Sequence, residues 1–191
     1  MVERPFLMCV EDVFQRHRGR TVVLAGRIEQ GRVHTGDDVE IVGLGGSGTA
    51  RVEDIHVRRV PVAEASAGMN VVVVLRGGAA DGVERGQVLA APGSISAHTR
   101  FTADIAVLSE EQGGAEVVSG ERLCFHIRCA AVWGAVTLPQ RLDMVRPLHG
   151  SEVTITLDEP VALDDGVRFA FRYRGRAAGS GTVTQLPGPV T

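Results

Sequence analysis

The sequence predicts an all-β protein made of two small barrels or sandwiches, and three observations carry that expectation. Apolar residues alternate with polar ones or gather in short, valine-rich blocks. Glycine punctuates those blocks, with 24 glycines in 191 residues. No stretch keeps apolar residues at i, i+3, i+4 and i+7 for three turns. β-Branched side chains suit a pleated surface, and period-two alternation turns one face inward. Many short strands with glycine turns between them close into barrels or sandwiches.

The elements follow in order. Thr21–Leu24, Val39–Val42 and Val71–Leu75 read as strands of a first half, and Val153–Leu157 as a strand of the second. Gly43–Gly48 is glycine-rich, but it lacks a lysine and a following helical pattern, so it reads as a hairpin tip rather than a phosphate loop. The segment Ala91–His98 combines Pro, Gly and Ser without strand alternation, which marks a boundary. The expected division is residues 1–92, a linker at 93–98, and residues 99–191.

Composition excludes several function classes. No apolar run approaches the roughly 20 residues of a membrane helix, and the N-terminus has no basic-then-apolar leader pattern, so a cytoplasmic protein without a membrane span is expected. Cys9, Cys124 and Cys129 are too few for a disulfide framework and lack a second pair at zinc spacing, so no structural metal is expected. Cys124 and Cys129 sit in an apolar run and read as buried thiols. All 20 basic residues are arginines. Without lysine there is no phosphate-loop lysine, no Schiff base and no lysine general base.

No motif of catalysis is found. Gly-x-Ser-x-Gly, His-Glu-x-x-His and a Gly-x-Gly-x-x-Gly at a strand–helix junction do not occur. Asp37–Asp38 and Asp164–Asp165 lie beside glycines and read as turn formers. The expectation is a non-enzymatic protein without cofactor.

Net charge is −3, and each half carries slightly more acids than arginines, which disfavours nucleic-acid binding by bulk charge. Two clusters stand out locally. Arg16–His17–Arg18–Gly19–Arg20 reads as a solvated loop. Arg172, Arg174 and Arg176 fall at a hairpin, where alternate positions would put three guanidiniums on one face. Such a face either holds phosphates bidentately or is a charged edge that blocks strand aggregation.

In order along the chain, Pro5–Met8 with Val10–Phe14, Gly26–Gly31, Gly36–Gly43, Ala67–Asn70, Leu75–Gly77 and Val83–Ala90 resemble domain 2 of bacterial elongation factor Tu. Pro92–Ile95 and His98–Thr99 resemble the family's link to domain 3. Phe101, Gly113–Gly114, Phe125, Arg128, Leu138–Pro139, Asp143–Val145, Val161–Leu163, Asp165–Ala170 and Gly175–Arg176 resemble domain 3. The resemblance implies two antiparallel six-stranded barrels. It also implies binding of the aminoacylated 3′ end of tRNA and of the ribosome by the first, and of the tRNA T-stem by the second. On this reading the chain opens where domain 2 begins, without the GTPase domain and without nucleotide binding.

The departures bear on function. His56 stands where the family places a glutamate against the terminal adenine; an imidazole can still stack on a base. The family's pocket loop reads Gly19–Gly26 here and is bulkier. Ala115–Glu116 replace an Arg-His pair, Glu159 replaces a basic T-stem contact, and Arg128–Gly134 departs from the family's strand. Arg176 and Arg122 remain as matched positive positions. The candidate RNA-binding residues are therefore Arg172, Arg174, Arg176, His56 and Arg122. The expected function is non-catalytic docking to tRNA, the ribosome or a translation-related protein. The alternatives are a protein-interaction module outside translation, pairing with a separate GTPase domain or another protein, and a fragment of a diverged factor.

Overall fold

Strands make up almost all of the computed structural model, which describes residues 2–17 (backbone alone for 15–17) and 21–188. The helical content among them is two three-residue 3-10 turns, Ala80–Gly82 and Glu110–Gln112. Contacts divide the chain into units Met1–Ala97 and His98–Thr191.

In the first unit the strands are β1 (Leu7–Cys9), β2 (Asp12–His17), β3 (Thr21–Gln30), β4 (Arg32–His34), β5 (Asp38–Val42), β6 (Gly48–Val57), β7 (Val60–Val62), β8 (Glu64–Ser66), β9 (Asn70–Arg76) and β10 (Val88–Ala90). Six of them close a ring, β1-β10-β5-β6-β9-β3 and back to β1. β2 continues the line of β1 along β3, β7 folds back on β6, and β4 pairs with β8 as a separate ribbon. Alternation chooses the interior: Val22, Leu24 and Ile28 of β3 and Val71, Val73 and Leu75 of β9 are buried. Their neighbours Val23, Ala25, Val72 and Val74 are half-buried on the outside. Thr21–Gly26 thus runs as strand, not as the pocket loop that the resemblance implies, because its valines pair with β9. Gly19 and Arg20 lie outside the described residues, as do Arg18 and the side chains of Arg16 and His17.

The loop from Gly43 to Gly48 joins β5 to β6 as a hairpin connection. Gln87, the buried polar residue of the core, donates from Nε2 to the carbonyls of Gly43 (2.8 Å) and Gly46 (3.2 Å). Those backbone acceptors are satisfied internally, which fixes the loop against the barrel end.

The second unit comprises β11 (Ser96–Val107), β12 (Val117–Val118), β13 (Arg122–Ile127), β14 (Ala130–Thr137), β15 (Met144–Val145), β16 (Gly150–Leu163), β17 (Arg168–Tyr173) and β18 (Arg176–Gln185). Its barrel closes in the order β11-β16-β14-β13-β17-β18, and β12 pairs with β15. Phenylalanines fill the interior: the rings of Phe101 and Phe169 meet edge-on at 5.8 Å, and those of Phe125 and Phe169 at 5.9 Å. Such edge-to-face pairs add to the gain from burial. The rings press on β18 so closely that side chains there have no room. A Cβ at Gly179 would stand 2.3 Å from Phe171 Cζ, and one at Gly181 2.4 Å from Phe169 Cζ. The fold is all-β, with two six-stranded antiparallel barrels.

Two thiols differ from expectation. Cys9 is buried, but Cys124 and Cys129 are half-buried. On β13 the interior positions belong to Leu123, Phe125 and Ile127, so alternation turns Cys124 outward.

Candidate functional site

Arg172, Arg174 and Arg176 surround the β17–β18 hairpin. Its two central residues, Arg174 (φ 50°) and Gly175 (φ 78°), both have positive φ, the signature of a type I′ turn whose twist matches the flanking strands. Tyr173 pairs with Arg176, and Arg172 with Ala177. Paired residues share a face and successive residues alternate, so Arg172 lies on one side of the ribbon and Arg176 on the other. The single face inferred from alternate spacing is therefore not what the hairpin builds, because the strand ends at Tyr173 and Arg174 belongs to the turn. All three side chains are exposed. Arg174 sits over the Tyr173 ring, 5.1 Å from its centroid, a cation–π contact that holds it near the tip. None of the three makes an ion pair among the described residues. The tip thus presents three guanidiniums without ion pairs around one turn, reachable from both sides.

Arg122 behaves differently. It leaves the outer face of β13 and grips Asp158 of β16 through two parallel hydrogen bonds, Nη1–Oδ1 at 2.8 Å and Nη2–Oδ2 at 2.5 Å. The hydrogen bond holds the Asp158 carboxyl below its ordinary value and raises the guanidinium. This charge is neutralised within the protein, so Arg122 contributes less to an anion site than its match to the family implies. Glu116 and Glu159, at positions where the resemblance implies basic residues, are both exposed.

In the first barrel His56 is half-buried on the outer face of β6. Its cross-strand neighbours are Val72 on β9 and Pro61 on β7. Ala25 of β3 lies beyond Val72 in the same row, and Val74 and Val23 form the next pair. An imidazole on an apolar outer surface is a place where a planar ring can stack.

Sequence reasoning missed two features. The β6–β7 hairpin turns on Arg58 (φ 50°) and Arg59 (φ 68°), two adjacent arginines in a conformation that normally selects Asn-Gly. Both are exposed and neither makes an ion pair among the described residues. The chain has a single asparagine, Asn70, and Arg-Arg is not a turn signature, so only the two-residue spacing between Val57 and Val60 could have flagged it. The second is Trp133, which is 52% exposed on β14; its alternation with Val132 and Gly134 pointed outward in the sequence itself.

Two family models match the chain. Residues 21–90 match the one described as elongation factor Tu domain 2, and residues 94–187 the one described as elongation factor Tu C-terminal domain.

Proposed function

This chain belongs to the elongation factor Tu family through that factor's domain 2 and C-terminal domain, and from this premise we propose that it is a non-catalytic binding protein that docks to tRNA or the ribosome. The observation that carries the reading is the hairpin tip, where Arg172, Arg174 and Arg176 are exposed and free of ion pairs. Free arginines hold phosphates through forked hydrogen bonds and release counterions as they do so. His56, beside Val72 and Pro61, supplies a separate surface for a terminal base. Binding is weaker than the family's, because Arg122 is spent on Asp158 and because Glu116 and Glu159 repel phosphate. The cytoplasm, where tRNA and ribosomes are, is the compartment this role requires. No helix among the described residues is long and apolar enough to cross a membrane.

A second reading, a protein-interaction module, is favoured by those same acidic replacements. Pull-down from native cell extract with and without ribonuclease separates the two. Capture of tRNA or ribosomes that ribonuclease abolishes supports RNA docking. Capture of a protein that survives ribonuclease supports the module.

A further inference from the structure

Trp133 is the only tryptophan of the chain, and alternation along β14 turns it outward together with Ala131 and Ala135. Cys124 of β13 pairs with Trp133, and Arg172 of β17 pairs with Cys124. The three residues therefore form one row across three strands on the outer face of the barrel. With about 4.8 Å between strands, Arg172 begins about 10 Å from Trp133. The adjoining row is Ala131, His126 and Ala170, and Ala135 pairs with Arg122. Alanines, a half-buried thiol and the half-buried His126 surround the indole.

The charges bordering this floor differ from side to side. Asp158, one residue beyond the Gly134–Leu157 pair, is neutralised by Arg122. On the opposite side Arg172 is exposed and makes no ion pair among the described residues. The unpaired charge bordering this floor is that of Arg172, so an anion is drawn toward β17.

We propose that this shelf binds an unpaired nucleotide of RNA, with its base stacked on Trp133 and its phosphate on Arg172. The inference rests on the RNA-docking reading and names the chemical form of RNA that the second barrel takes. An indole offers a flat π surface that accepts any base, and stacking on such a platform is insensitive to sequence. A nucleotide carries a planar ring and an anion a few ångströms apart, and the length of the arginine side chain closes the remaining distance. A duplex hides its base faces and has nothing to stack. An acidic peptide satisfies Arg172 but brings no planar ring to the indole.

Because Trp133 is the single tryptophan, its fluorescence reports on the shelf directly. The full chain is titrated with a short oligoadenylate, with a blunt RNA duplex of equal charge, and with oligoglutamate. The proposal expects saturable quenching by the single strand alone. With labelled oligoadenylate followed by anisotropy, Trp133→Ala weakens binding about tenfold or more and Trp133→Phe restores part of it. Arg172→Gln lowers the magnitude of the logarithmic salt slope by somewhat under one and leaves the quenching amplitude at saturation in place. Trp133→Ala still unfolds in one cooperative transition, and Trp133→Phe stays close to the wild-type midpoint. Quenching by the duplex or by oligoglutamate as strong as by the single strand overturns the proposal. So does single-strand binding without quenching, or no single-strand binding at all. Failure of the single-strand test alone overturns the shelf while leaving the broader reading standing; loss of RNA capture by the wild-type chain defeats that reading itself.

Discussion

Arg122 and Asp158 clasp each other through two hydrogen bonds, although 36 residues of sequence separate them. The clasp withdraws one cation from the outer face of the second barrel. Freeing it should restore a phosphate contact. Asp158→Asn is expected to tighten tRNA binding at low salt and steepen the logarithmic salt slope by just under one. Arg122→Gln, which removes a cation already neutralised, should change the slope little. Filter binding over a salt series measures both.

The same pair predicts a pH dependence. The carboxyl of Asp158 is held below its ordinary value of 3.8, chiefly by the hydrogen bond from Arg122. A group whose folded value is depressed contributes stability above its unfolded value and loses it as pH falls through the folded value. Stability of the wild-type chain should therefore fall below about pH 4, and Asp158→Asn should flatten that part of the curve. Because the pair is exposed, the effect is screened by salt. Thermal unfolding between pH 7 and strongly acid pH, at low and high ionic strength, checks it.

Gly26 marks where the first barrel closes. A Cβ there would stand 1.7 Å from the Cys9 carbonyl oxygen and 2.9 Å from Met8 Cε. The backbone of β1 cannot retreat without losing its pairing to β3 and β10. Gly26→Ala should cost about 3 kcal/mol or more, the upper range of overpacking. Gly45→Ala, where nothing lies within 4 Å, should stay within about 0.5 kcal/mol. Urea unfolding distinguishes them.

Arg58 and Arg59 hold a left-handed turn without the residues that favour it. Each such residue is disfavoured by about 1 kcal/mol or more relative to Gly. Replacing the pair with Asn-Gly should raise stability by about 1–2 kcal/mol, read as a higher urea midpoint at unchanged slope. An unchanged or lower midpoint would mean that the arginine stems pack against the hairpin and offset the strain.

The barrels were legible because their signal is local. In β13, Leu123, Phe125 and Ile127 alternate with Arg122, Cys124 and His126, and that pattern alone assigns inside and outside. Reading the same run simply as apolar is what misplaced Cys124. The binding surface was legible only in part. The three hairpin arginines were visible as a cluster, but their division between two faces depends on where β17 ends, a matter of one residue. The clasp of Arg122 with Asp158 depends on barrel closure and leaves no mark in the local sequence. Thr21–Gly26 shows the opposite error. Its valines already favoured a strand, and the resemblance pointed to a loop.

The central claim, that the hairpin of the second barrel docks RNA through its arginines, is tested most directly by filter binding of aminoacyl-tRNA across a salt series. Wild type is compared with the variant carrying Arg172→Gln, Arg174→Gln and Arg176→Gln. If the three guanidiniums each neutralise a phosphate, the variant binds more weakly, and the magnitude of its logarithmic salt slope falls by about two to three. Binding of equal strength and equal slope in the two proteins, or no binding of tRNA by the wild-type chain, would contradict the account.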